Sequence, residues 1–141
     1  NADGVHLGKE DTLTEEEENE LMKRGCIIGR TANTFADILH LSGRSVSYIG
    51  LGPFRFTATK QNLSPVLGYE GYRNIFREIN ERALTFPPIV GIGGITSDDI
   101  PELCATGLHG IAVSGAISDA ADKTSATRKL KDAILNCINE Y

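Results

Sequence analysis

A chain of 141 residues, 40% hydrophobic and 23% charged, has the composition of an ordinary globular protein, and residues 1–141 read as one domain. The formal net charge is -5 and the fourteen Lys and Arg residues are scattered, so no phosphate-neutralising stripe exists and nucleic acid is excluded as a partner. No apolar run approaches the roughly 20 residues that cross a bilayer, which excludes the membrane, and three distant cysteines without a CxxC pair fit a reduced, cytoplasmic protein.

The chain opens on NADGVHLG with no charged-then-apolar leader, and reads as cut into rather than processed. The first short apolar run, Gly4 to Leu7, predicts a strand that ends in HLGKED. A helix is expected from Thr14 to Arg24, because Thr14 can cap free amides and the acids Glu15 to Glu18 sit at the positive end of the helix dipole. That acidic run reads as a solvated helix start. Cys26 to Gly29 predicts a second strand, followed by GRTANT and a helix from near Thr34 that a left-handed Gly43 would end. Ser47 to Leu51 predicts the third strand, followed by GPFRFTATK, a polar loop over Gln61 to Gly68, and a helix from near Tyr69. Ile89 to Ile92 leads through GIGGIT to a helix from near Ser97, with Pro101 in its first turn and Gly107 at its end. Gly110 to Val113 leads through AVSGAI to a short helix near Ala116 and a last one from near Ala121.

Five strands, each leading into a helix, make an α/β protein with a buried parallel sheet. An open doubly wound sheet would carry GxGxxG after its first strand, whereas GIGGIT follows the fourth and lacks that spacing. Glycines and hydroxyls instead follow several strands, as expected when many βα loops build one site, so the pattern favours a TIM (β/α)8 barrel with about its last five βα units present.

Two loops read as a phosphate cup. Without a Cβ, Gly93, Gly94 and Gly115 let backbone amides approach phosphate oxygens, Ser114 adds a hydroxyl, and the short helix near Ala116 would aim its dipole at the anion. The competing reading is that these glycines only permit tight turns. In GPFRFTATK, Thr57, Thr59 and Lys60 present two hydroxyls and a cation suited to a phosphorylated ligand, while Arg55 reads as surface. Asp11 fits a magnesium ligand or, as the blander alternative, a helix cap. His6 reads as packing, and His40 and His109 lack the neighbours a metal needs.

In order, HLGKED, GRTANT, YIGLGPFRFTATK, VGIGGIT and GIAVSGAI resemble the thiamine phosphate synthase family along essentially the whole chain. The resemblance implies condensation of a pyrimidine diphosphate with a thiazole phosphate to thiamine phosphate and diphosphate, with Mg2+ as cofactor and only small molecules as substrates; a homo-oligomer is compatible with it. By the same resemblance Asp11 matches a magnesium ligand, and Thr31 matches a hydroxyl contact to the pyrimidine diphosphate. Thr57 and Thr59 match thiazole phosphate contacts, Lys60 matches a diphosphate contact with a catalytic role, and Gly93, Gly94, Ser114 and Gly115 match the thiazole phosphate cup. The implied reaction is departure of diphosphate from a benzylic-type methylene and capture by the thiazole nitrogen, which needs charge stabilisation and no protein nucleophile.

A barrel needs about 200 residues or more. Three earlier strands, carrying a basic diphosphate cluster and another magnesium ligand, are therefore expected outside this sequence, and this chain alone is not expected to be catalytic. Two rivals remain. One is a thiazole tautomerase, which uses a His where this chain has Asn33; the other is a non-catalytic phosphate-binding remnant.

Overall fold

The computed structural model of the protein describes residues 2–56 and 65–139. Five strands, β1 (Gly4–Leu7), β2 (Ile27–Ala32), β3 (Tyr48–Leu51), β4 (Ile89–Ile92) and β5 (Gly110–Ala112), alternate with helices α1 (Glu15–Lys23), α2 (Phe35–Ser42), α3 (Gly68–Glu81), α4 (Ile100–Cys104), α5 (Gly115–Ser118) and α6 (Lys123–Asn139). β1 and β4 fall where expected. β2 runs later than Cys26 to Gly29, because the ladder to β3 continues through Thr31↔Gly50 and Ala32↔Leu51.

All neighbouring strands are parallel, and the sheet order is β1-β2-β3-β4-β5. A right-handed crossover at every step of such an order places every helix on one face, which is barrel winding; a doubly wound sheet would reverse direction partway. The register sorts the residues by face. Ile28, Arg30, Ala32, Ile49, Leu51 and Ile89 lie on the helix side, and all are buried. His6, Gly29, Thr31, Tyr48 and Gly50 lie on the opposite face, where a barrel keeps its interior. The main core joins Ile28, Ile49, Leu51 and Ile89 to Ile38 and Leu41 of α2 and to Tyr72, Ile75, Phe76 and Ile79 of α3.

Thr14 caps α1 through a reciprocal box: its hydroxyl accepts from the Glu17 amide at 3.2 Å, and Glu17 accepts from the Thr14 amide at 2.8 Å. The acidic run is not uniformly solvated, however. Glu18 is 1% exposed, because the turn it occupies faces two arginines from later in the chain. Gly43 is also not left-handed: its φ is -94°, and the chain leaves α2 through a right-handed turn closed by the Arg44 amide on the Leu41 carbonyl. Gly107 does take the expected positive φ, +101°.

Candidate active site

The ends of successive parallel strands share one rim, so the loops after β1, β2, β3, β4 and β5 meet there. After β1, Asp11 does not cap a helix, since Thr14 performs that role. One carboxylate oxygen of Asp11 accepts from the Gly8 amide at 2.7 Å, and the other makes no hydrogen bond among the described residues. Thr31 stands beside it on β2. Asp11 and Thr31 line one depression of about 250 Å³ together with Lys9, Arg30, Asp37 and Arg44. The Thr31 hydroxyl is 3.0 Å from His6 Nε2, and His6 Nδ1 is 2.9 Å from the Tyr48 hydroxyl, so His6 links three strands by polar contacts as well as packing among them.

The Asp11 loop is held from behind by a buried charge cluster. Glu18 receives the Nε of Arg30 at 2.7 Å and the Nε of Arg44 at 2.9 Å, on different oxygens. Arg30 also donates to the Asp11 carbonyl at 2.9 Å, and Arg44 donates to the Leu13 carbonyl at 3.0 Å. Sequence reading missed this cluster, since nothing in a helix-start acidic run marks which acid turns inward.

Thr57, Thr59 and Lys60 lie outside the described residues. The segment leading to them packs against the β4 loop: the Phe54 amide donates to the Ile92 carbonyl and the Arg55 amide to the Gly93 carbonyl. Gly93 has φ +89°, and a Cβ there would stand 2.8 Å from Pro53 Cα, so both conformation and space require glycine. Gly94 follows with φ +73°, so a Gly94→Val change would strain the backbone. On the neighbouring strand, Ser114 precedes α5, makes no side-chain cap bond and is exposed, as is Gly115. The two glycine-bearing loops are therefore adjacent, because β4 and β5 pair directly.

Arg55 is not idle surface. Its guanidinium grips both oxygens of Asp99 at 2.7 and 2.8 Å and donates to the Gly94 carbonyl at 2.7 Å. Asp99 also accepts from the Tyr69 hydroxyl at 2.9 Å and from the Thr96 amide and hydroxyl at 2.8 Å. The Arg55 guanidinium above all, then the Thr96 and Tyr69 donors, hold the Asp99 carboxyl well below the usual carboxylate range against the opposing effect of burial. Burial, with the Asp99 charge beside it, pushes the Tyr69 hydroxyl up to about 12.

A carboxylate with a depressed folded pKa stabilises the fold above its unfolded value of about 4, and that contribution is lost as pH falls towards the folded value. Arg55 is 47% exposed, so solvent screens the pair. Asp99→Asn is expected to cost about 1–2 kcal/mol at neutral pH, with the gap from wild type closing below about pH 4. Denaturant melts at several pH values check this; a gap that persists unchanged into acid contradicts it.

Among the described residues no group of three or more His, Cys, Asp or Glu side chains could enclose a metal ion. The donor set at Asp11, an exposed carboxylate with one uncommitted oxygen on the rim, suits an ion that takes one or two carboxylates and completes its shell with water and phosphate, as magnesium does. Asn33, where a tautomerase would carry His, is buried, donates through its side chain to the Gly52 carbonyl and has no titrating proton to move. Among the described residues, no helix is long and apolar enough to cross a membrane.

Residues 1–117 match a family model described as thiamine monophosphate synthase. The chain is 51% identical over 129 residues to the thiamine-phosphate synthase of Phocaeicola vulgatus, covering 92% of this chain and 61% of that protein. It is 49% identical over 128 residues to that of Bacteroides thetaiotaomicron, covering 91% and 60%. A solved thiamine phosphate pyrophosphorylase from Pyrococcus furiosus superposes with a TM-score of 0.78 at 32% identity, over 96% of this chain and 61% of that one. A 3-hexulose-6-phosphate synthase, at 16% identity and TM-score 0.69, shares the fold, over 94% of this chain and 62% of that one. The chain thus spans about three fifths of the length of the relatives it matches.

Proposed function

The chain belongs to the thiamine monophosphate synthase family, and from that premise we propose that the whole protein is a transferase that joins a pyrimidine diphosphate to a thiazole phosphate, giving thiamine phosphate and diphosphate. The observation that supports this reading is one rim holding two separate groups of polar and glycine residues suited to phosphorylated ligands. Gly93 and Gly94 adjoin Ser114 and Gly115 at one part of it, and Asp11 shares a depression with Thr31 at another. Two phosphorylated substrates need two such places. Residues 1–141 are then one portion of a single barrel domain working in the cytoplasm.

In this scheme the backbone amides near Gly94, Ser114 and Gly115 hold the thiazole phosphate, with Thr57 and Thr59 adding hydroxyl donors. Thr31, its hydroxyl oriented by His6, binds the pyrimidine diphosphate. Lys60 stabilises the charge that the leaving diphosphate gains as the bond breaks. A magnesium ion held by Asp11 would neutralise that same diphosphate when bound. Holding both substrates in line converts a bimolecular encounter into a reaction within one complex.

The test is formation of thiamine phosphate by the full-length protein from both substrates with magnesium. Asp11→Asn is expected to lower turnover on the order of tenfold at limiting magnesium while leaving the melting temperature unchanged. Undiminished activity of that variant would remove Asp11 from the cation site, and no product from wild type would refute the synthase reading.

A further inference from the structure

We infer that the buried triad Glu18, Arg30 and Arg44 is the positioning device for the cation-binding loop; this rests on the reading of Asp11 given above. Within the loop between β1 and Thr14, the Gly8 amide donates to the Asp11 carboxylate at 2.7 Å. The loop's internal main-chain bond is the Asp11 amide on the Gly8 carbonyl, at a long 3.3 Å. Its other anchors on the sheet side come from guanidinium groups: Arg30 on the Asp11 carbonyl, Arg30 and Arg44 together on the Leu13 carbonyl. Glu18 sits behind both arginines at 1% exposure and holds each through a separate oxygen.

The arrangement has a geometric consequence. Arg30 and Thr31 are consecutive on β2, so one points to the helix side and the other to the interior. Arg30 thereby ties the Asp11 main chain to the same strand that carries the Thr31 hydroxyl, and the separation of the two ligand groups is set by a rigid strand rather than by a loop. A salt bridge from Lys9 to Asp37 at 2.9 Å fastens the near end of the loop to α2. A buried ion cluster is weak evidence of net stability, since apolar side chains of similar volume often serve as well. The spare donors of this one are spent on two carbonyls of the loop that bears Asp11, which is what a positioning role requires.

The variant that isolates the role is Arg30→Lys. Lysine keeps the charge against Glu18 but lacks the planar fork that reaches Glu18 and the Asp11 carbonyl together. The probe is Mn2+ titrated into the full-length protein with inorganic diphosphate, read by the loss of the free-ion electron paramagnetic resonance signal. Arg30→Lys is expected to weaken Mn2+ binding about tenfold with Asp11 still present, as Asp11→Asn does directly. Its turnover should recover at saturating magnesium, while affinity for the thiazole phosphate stays that of wild type. Arg44→Lys, whose arginine reaches the loop only at the Leu13 carbonyl, is expected to weaken Mn2+ about threefold and serves if Arg30→Lys does not fold. Wild-type Mn2+ affinity in Asp11→Asn, in a folded Arg30→Lys, or in Arg44→Lys where Arg30→Lys does not fold overturns the inference, as does equal loss of thiazole phosphate binding. A protein that makes no thiamine phosphate, yet loses Mn2+ in these variants, would retain the positioning role and lose the synthase assignment.

Discussion

Lys60→Ala is expected to lower single-turnover formation of thiamine phosphate about a hundredfold, or about 3 kcal/mol, by analogy with the loss of one preorganised donor to a developing charge. In the proposed reaction the carbon–oxygen bond to diphosphate would break without help from a protein nucleophile, so the barrier would reflect charge accumulating on the leaving oxygen. An ammonium beside that oxygen gains interaction energy as the bond stretches, and only the gain between ground and transition state raises the rate. Affinity for the pyrimidine diphosphate should therefore change less than the rate does. The decisive measurement pairs the single-turnover rate at saturating magnesium with the equilibrium affinity. Weakened affinity with an unchanged rate would make Lys60 a binding residue only.

The second large effect is on the fold. Glu18→Ala should cost about 3–5 kcal/mol, since removing the carboxylate leaves the Arg30 and Arg44 guanidinium groups, 9% and 15% exposed, without their common counter-charge. The penalty comes mainly from stranding two cations rather than from losing a favourable pair. It follows that Glu18→Leu combined with Arg30→Met should be less damaging than Glu18→Ala alone, because the deepest unpaired cation is removed with its partner. Denaturant unfolding of the three proteins provides the comparison. A loss below about 1 kcal/mol for Glu18→Ala would mean that water reaches the arginines and that the cluster is not sealed.

Much of the architecture was legible before any coordinates. Short β-branched runs separated by helical stretches specify the βα alternation, and Thr14 before an acidic run specifies a helix start. These features depend on residues within a turn of one another, so local chemistry suffices to read them. The same holds for the loop strings that mark the family, in which glycines and hydroxyls follow successive strands. Which of four consecutive glutamates is buried was not legible, because Glu18 meets Arg44 from 26 residues away and only the folded sheet brings them together. Arg55 looked like surface for the same reason: its partner Asp99 lies 44 residues on, across the β3–β4 junction. The link from His6 to Thr31 and Tyr48 likewise follows from strand register, which sets His6 level with Tyr48 and puts Thr31 two residues further along the same interior face. Sequence by itself determined the elements, their order and the glycine-bearing loops between them. Tertiary structure alone decided which charges pair, since an ion pair carries no periodicity and its energy depends on the burial and geometry that folding creates.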